Sequence, residues 1–334
     1  MPIESQRMTS SDTTKPKYFG RMIGLAIFVV VLFGGYSLGW FYFAGKLVEQ
    51  VNVALAGAKQ NGTNADCVNP TARGFPFRIG IFCDSVDFND GKGTSVEAGA
   101  FRTAAQVYNP SHIVGEVDGP AIVTLVGAQP LKLNWEALRA SIRLASPLPE
   151  RVSVEGRDLS AGTVSSTALV NARTFEGHMR PNGRDLDVAG SFGDLTADAS
   201  LLQGRLLPPL SAEADLTVAD GIAWLASQAD SLRGRSATIR TLNLSTDAST
   251  GIGVSGTASA DENGLVDADL TLTVRNAQGL AQVAAEAFPE ASDQINKAML
   301  GIAMLGQNTT LPLKISKGKA SMGFIKLGKI PPVR

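Results

Sequence analysis

Residues 266–274 read VDADLTLTV, an alternation without exception: Val266, Ala268, Leu270, Leu272 and Val274 are apolar, and Asp267, Asp269, Thr271 and Thr273 between them are acidic or hydroxylic. Successive side chains of a strand point to opposite faces, so this period of two predicts a strand with one dry and one wet face, the antiparallel habit. The same pattern governs residues 211–218, where Ala212, Ala214, Leu216 and Val218 alternate with Ser211, Glu213, Asp215 and Thr217. Asn182-Gly183 and Asn263-Gly264 supply residues tolerant of positive φ where two-residue hairpin turns need them. With 35 glycines, many Ser, Thr, Ala and Val, and only 6% aromatic residues, the composition suits many strands joined by tight turns. The predicted fold is mainly β within the α+β class: a large curved antiparallel sheet with a few short helices.

Working outward, Ser95 to Val126 reads as a meander with turns at Asn109-Pro110 and Asp118-Gly119-Pro120. Trp135 to Ile142 reads as a short helix, with Trp135, Leu138 and Ile142 on one face and Pro147 and Pro149 closing it. Asp220 is placed to cap a helix carrying Ile222, Leu225 and Ala229. A helical pair, Ala277–Phe288 and Ala291–Leu305, is broken by Pro289. The last strands, Leu311–Ile315 and Ala320–Leu327, carry Lys314, Lys317, Lys319 and Lys326, with Lys329 and Arg334 beyond them. Such lysines either block edge-to-edge pairing or face anionic headgroups.

At the other end of the chain, the run from Met22 to Ala44 is 23 residues without a formal charge. Roughly 20 helical residues cross a ~30 Å hydrocarbon core, so the run is long enough to span. Lys15, Lys17 and Arg21 precede it, whereas Lys46 is balanced by Glu49 behind it. The positive flank places the N-terminus in the cytoplasm and sends the rest of the chain across the membrane. Tyr36, Trp40, Phe41, Tyr42 and Phe43 crowd the far end, at headgroup level. A cleaved signal peptide is the competing reading. It needs a shorter apolar core and a cleavage site close behind, and the nearest Ala-x-Ala, Ala54 to Ala56, falls inside continuing helical text. Leu47, Val51 and Leu55, with Val48, extend the helix as an amphipathic stalk to about Ala58, where Gly57 and Asn61-Gly62 end it. The expected division is a cytoplasmic tail over 1–21, an anchor over 22–44, a stalk over 45–60 and a translocated β-rich domain over 61–334.

Cys67 and Cys83, the two cysteines, lie 16 positions apart on the translocated side. In an oxidising compartment they form a disulfide, removing about 3 kcal/mol of loop entropy from the unfolded chain; two buried thiols are the alternative, and two Cys without a nearby His fall short of a zinc site. Between them lies RGFPFR, residues 73–78. Its Phe75, Phe77 and Arg78 are candidate ligand or partner contacts, and the competing reading of the two rings is a core plug stapled by Cys83.

Other motifs fail on context. Residues 251–256, GIGVSG, match the dinucleotide fingerprint, but strand and turn text follows where a helix is required. Asp87 to Gly93 has the acidic look of a calcium loop with its glycine out of register. His112 and His178, the two histidines, stand in separate strand contexts, and no Gly-x-Ser-x-Gly elbow is present. A net charge of −1 removes the general case for nucleic acid. Neither a cofactor nor a metal is expected, and the chain reads as a non-enzyme.

The Arg73–Cys83 stretch, together with Leu311-Pro312-Leu313-Lys314-Ile315, Gly318-Lys319, Leu327-Gly328 and Pro331-Pro332, resembles an alphaproteobacterial family, domain of unknown function 2125 (DUF2125). The resemblance brings no activity. It implies a Gram-negative bacterium, hence an inner-membrane anchor, a periplasmic domain and an oxidising compartment for Cys67 and Cys83. The expected function is an envelope protein that binds lipid or another apolar ligand on its curved sheet, with the apolar helix residues Met299, Ile302 and Met304 lining or covering it. The alternatives are docking of another envelope protein, through a sheet edge or through Phe75 and Phe77, and a hydrolase assembled around His178.

Overall fold

A computed structural model describes residues 18–60, 62–165, 167–227, 231–304 and 306–333. Most of the expected tail, residues 1–17, lies outside the described residues, as do Asn61, Ala229, Leu305 and Arg334. The first element, α1 (Tyr18–Gln60), is one unbroken helix of 43 residues that holds both the uncharged run and the stalk. It is long and apolar enough to cross a membrane, and its most apolar window is wholly exposed.

Twenty strands follow among the described residues, joined in one antiparallel sheet. In the first half the chain runs as five lines, each interrupted once. These are β1 (Asn64–Cys67) with β2 (Thr71–Arg73), β3 (Arg78–Cys83) with β4 (Val86–Asn89), and β5 (Ser95–Ala98) with β6 (Phe101–Gln106). Next come β7 (Asn109–Val117) with β8 (Ala121–Thr124), and β9 (Leu131–Asn134) with β10 (Ala137–Arg143). One set of halves pairs as β2–β3–β6–β7–β10 and the other as β1–β4–β5–β8–β9. Both sets end on β11 (Arg151–Thr163), which takes β10 along its first half and β9 along its second. From there β12 (Val170–Asn182), β13 (Asp185–Ala197), β14 (Leu210–Val218), β15 (Ser236–Ser245) and β16 (Gly251–Ala260) each pair with the next. The series closes with β17 (Val266–Arg275), β18 (Asn308–Ser316), β19 (Lys319–Met322) and β20 (Ile325–Lys329). The sheet is therefore a meander in strict chain order, and it stays open, since none of the described pairings joins the first line to β20.

The interruptions share a line across the sheet. They fall at Asn69, Asp84, Gly99, Asp118 to Pro120 and Trp135, and continue inside β11 at Asp158. Asn69 and Asp158 have φ of 53° and 47°, and Asp194 in β13 has 50°. Asn and Asp tolerate this left-handed region better than other residues with a side chain. Backbone bonds from Val68 N–H to the Ser85 carbonyl (3.0 Å), from Asp118 N–H to that of Ala100 (2.8 Å) and from Glu136 N–H to that of Arg157 (3.0 Å) tie neighbouring interruptions together.

Several local expectations need correction. Asp118-Gly119-Pro120 kinks the chain without reversing it, and the reversal expected at Asn109-Pro110 falls at Val107-Tyr108. Trp135 to Ile142 is not helical: Trp135 sits in an interruption and Ala137–Arg143 is a strand. Leu138 and Ile142 are four apart, a spacing that satisfies period two as well as period 3.6, and pairing with β7 and β11 on both sides decides for the strand. Ala320–Leu327 divides into β19 and β20 at Gly323, whose φ is 57°.

Among the described residues, three helices interrupt the second half: α2 (Gly221–Ala226), α3 (Ala277–Ala287) and α4 (Ser292–Ala303), with a 3-10 turn at Pro289–Ala291 between the last two. The break at Pro289 is where the sequence places it. Asp220, however, makes no side-chain cap; it pairs instead with Arg184 at 2.7 Å. A side-chain cap is found instead at α3, where the Asn276 side-chain oxygen accepts from Gly279 N–H at 3.1 Å.

Cys67 and Cys83 are joined by a disulfide, Cα–Cα 5.3 Å, which links β1 to β3. With Ile81 they form a buried cluster against which Leu47, Val48, Val51 and Leu55 of α1 pack, together with Val86 and Phe101. The stalk's apolar stripe thus lies on the sheet. A second cluster, Ala268, Leu270 and Ile315, draws in Ile239, Val254 and Leu313 from neighbouring strands.

Candidate functional site

Register alone builds the site. Residues directly opposite one another on paired strands share a face. From Ile79 the opposed partners run Ala105, Ile113, Ile142, Val152, Met179, Val188, Leu216, Ile239, Gly256, Leu270 and Leu313, one position on each of twelve strands and none of them polar. Two positions along each strand, three on β15 where the register shifts, a parallel row passes through Ala140, Val154, Gly177, Gly190, Ala214, Leu242, Val254, Leu272 and Leu311. A third holds Phe101, Val117, Leu138, Phe175, Phe192, Leu244, Ile252 and Val274. Continued to their ends these rows reach Thr103 and Thr309, and apart from those two hydroxyls they make one face of the meander apolar.

This face is covered unevenly. The α1 stalk covers it around Ile81 and Cys83, and Leu270 and Val274 are buried near the other end, at 9% and 2% exposure. Between them Phe175, Leu242 and Leu244 stand 41%, 45% and 44% exposed. Contiguous exposed apolar surface of this kind marks an interaction site far more often than scattered single residues do.

The opposite face is mainly polar, with Phe82, Ala104, Val114 and Ala189 among its charged and hydroxylic residues. Glu116 lies between Arg102 (3.4 Å) and Arg139 (3.5 Å), and the same row continues through Glu155 and Glu176. At its centre sits Asp187, buried, accepting from Thr217 (2.7 Å) and Asn182 (3.4 Å) and paired with Arg180 (3.0 Å) and Arg240 (3.3 Å). The Thr217 hydroxyl bond, reinforced by Arg180, Asn182 and Arg240, holds the Asp187 carboxyl down at about 2. Asp215 is also lowered, chiefly by its bond from Arg240.

His178 lies on this polar face with Nδ1 3.0 Å from Ser153 Oγ and Nε2 3.6 Å from Glu176. The fold thereby assembles Ser, His and a carboxylate that the sequence spaces far apart. Both Ser153 and His178 belong to interior strands, each paired with a neighbour on both sides. His112 makes a separate contact, 2.9 Å to Ser141 Oγ. No group of three metal-ligating side chains occurs among the described residues.

Residues 40–331 match a family described as an uncharacterized protein conserved in bacteria, DUF2125. The chain belongs to the DUF2125 family. No curated protein and no solved structure matches it.

In this DUF2125 protein the residues singled out from sequence are distributed as follows. Phe75 does not plug the sheet. Its ring packs on α1, stacked 5.5 Å from Phe41 and edge-on to Trp40 at 5.5 Å, while Phe77 is 70% exposed. Arg78 is exposed, and its carbonyl accepts from Trp40 Nε1 at 3.0 Å. Met299 is half-buried in a cleft of about 610 Å³ between α3 and α4, Ile302 is half-buried near Thr309, and Met304 is 83% exposed. The α3–α4 hairpin packs on itself at the end of β17 and β18. It reaches the segment between β13 and β14 through Arg205, which is 3.0 Å from Glu290 and 5.6 Å above the Phe288 ring. The apolar rows were missed by reading strands one at a time; the alternation in residues 211–218 and 266–274 was their visible part.

Proposed function

We propose that this protein is a non-enzymatic, membrane-anchored lipid-binding protein whose ligand lies along the apolar face of the meander. Its α1 helix is the anchor in the bacterial inner membrane, with the N-terminus cytoplasmic and the β-rich domain periplasmic. The carrying observation is the continuity of the apolar rows across the uncovered strands, where Phe175, Leu242 and Leu244 remain more than two-fifths exposed. A long, narrow apolar floor suits acyl chains, which need dry surface and no directed polar contact. The positive flank of Lys15, Lys17 and Arg21 supports the orientation. The placement of Ser153, His178 and Glu176 in the middle of interior, doubly paired strands supports the non-enzymatic reading.

The test uses register. Benzoylphenylalanine placed at Leu242 faces the apolar floor, and at Asn243 it faces the polar side. Ultraviolet irradiation of cells carrying the full chain, then mass spectrometry, is expected to give phospholipid adducts at 242 and none at 243. A protein adduct at 242 in place of lipid supports docking of another envelope protein instead. Equal lipid labelling at both positions removes the face-specific reading.

A further inference from the structure

The RGFPFR turn sits against α1 at a defined level. Phe75 contacts Phe33 (6.1 Å between centroids), Tyr36 (6.4 Å), Trp40 and Phe41 (5.5 Å each). The Tyr36 hydroxyl donates to the Pro76 carbonyl, and Trp40 Nε1 donates to that of Arg78. These α1 residues all lie inside the uncharged run that ends at Ala44. At a helical rise of about 1.5 Å per residue, Tyr36 is about 12 Å and Phe33 about 16 Å before Ala44 along the axis. The turn therefore reaches back along the membrane-spanning segment.

Its chemistry suits that depth. Phe77 at 70% exposure points away from the protein, and Val107 and Tyr108 on the adjoining β6–β7 turn are 38% and 76% exposed. Arg73 and Arg78 flank the two rings, both exposed and without an ion pair among the described residues, the Arg73 guanidinium resting 5.0 Å above the Phe82 ring. Aromatic rings between two arginines match an interface where rings meet acyl chains and guanidinium groups reach phosphates. We propose that the Gly74–Phe77 turn is a second membrane-insertion point: it enters the leaflet on the β-domain's side, Phe77 in the acyl region and Arg73 and Arg78 at the phosphates, and holds the sheet upright on the bilayer. This rests on α1 spanning the membrane. It also brings Ile79, the first residue of the apolar row, to the bilayer surface. There it borders an apolar cleft of about 690 Å³ shared with Trp40, Phe43, Leu47 and Val107.

The experiment uses the full chain, whose own cysteines are tied in the disulfide, reconstituted in vesicles of phosphatidylethanolamine and phosphatidylglycerol. A single environment-sensitive fluorophore is attached at Phe77→Cys, Tyr108→Cys, Lys92→Cys or Val31→Cys. Position 92 lies on the far β4–β5 turn, and Val31 lies mid-run in α1. Acyl-chain nitroxide lipids are expected to quench the labels at 77 and 31 at least about twofold more than at 92, as insertion of several ångströms requires. The label at 108, on an independent turn, follows 77. Quenching at 31 with labels at 77 and 108 behaving like 92 overturns the insertion and leaves the anchor standing. No quenching at 31 overturns anchor and insertion together. Loss of lipid adducts at 242 with quenching at 77 intact overturns only the floor.

Discussion

Asp187 is the most constrained side chain on the polar face: one buried carboxylate shared by Thr217, Asn182, Arg180 and Arg240. Its folded pKa of about 2 lies below the unfolded range near 4, so its contribution to stability is complete above about pH 4 and is lost as pH falls through about 2. An Asp187→Asn variant is expected to lose about 2 kcal/mol near neutral pH, and to show a flatter decline than the parent between about pH 4 and 2. Denaturant midpoints of the two proteins across that range check it. The glycines of residues 251–256 serve strand packing: a Cβ on Gly251 would sit 2.6 Å from the Leu244 carbonyl oxygen, and one on Gly256, where φ is 137°, would sit 2.2 Å from that of Asp269. A phosphate loop and a crowded bulged strand both demand glycine, and the letters alone do not separate them.

At the scale of elements, the stalk and the disulfide fasten the beginning of the sheet. Replacing both Cys67 and Cys83 by Ser opens a link spanning 16 positions and is expected to cost about 3 kcal/mol, read as a lower denaturant midpoint in detergent. Val51→Asp puts a charge between α1 and the Cys67–Ile81–Cys83 cluster, and the expected result is stalk release, seen as new protease cleavage near residues 58–63. Elements with a clean period were legible: residues 211–218 and 266–274, the stalk stripe, and the helical pair broken at Pro289. Those misread were decided by neighbours. Leu138 and Ile142 fit two periods, and only flanking β7 and β11 select one. Asp118-Gly119-Pro120 has the composition of a reversal, yet its lateral bond to Ala100 makes it a crease within a continuing line.

For the whole molecule, the apolar face separates binding from stability. Leu270 is 9% exposed and Leu242 is 45% exposed, although both belong to the same face. Leu242→Arg is expected to shift stability by less than about 1 kcal/mol while abolishing lipid adducts at the neighbouring Leu244 position, whereas Leu270→Arg buries a charge and prevents folding. Thermal unfolding and adduct yield, measured on both variants, check the pair. This face was half legible, because alternation reveals that a strand has a dry side but not which dry sides join. That depends on register across the sheet, and register is fixed by turns and bulges such as the one between Asp215 and Leu216.

The strict agreement between order along the chain and order across the sheet has one more consequence. Every strand from β12 to β19 pairs only with the strands before and after it in the chain, so duplicating or deleting a hairpin there leaves every pair that does not involve it in place. Each such unit widens or narrows the apolar floor by two strand spacings, about 10 Å. The architecture is a ruler graduated in hairpins, on which the breadth of what it accommodates is set by counting repeats of a local unit.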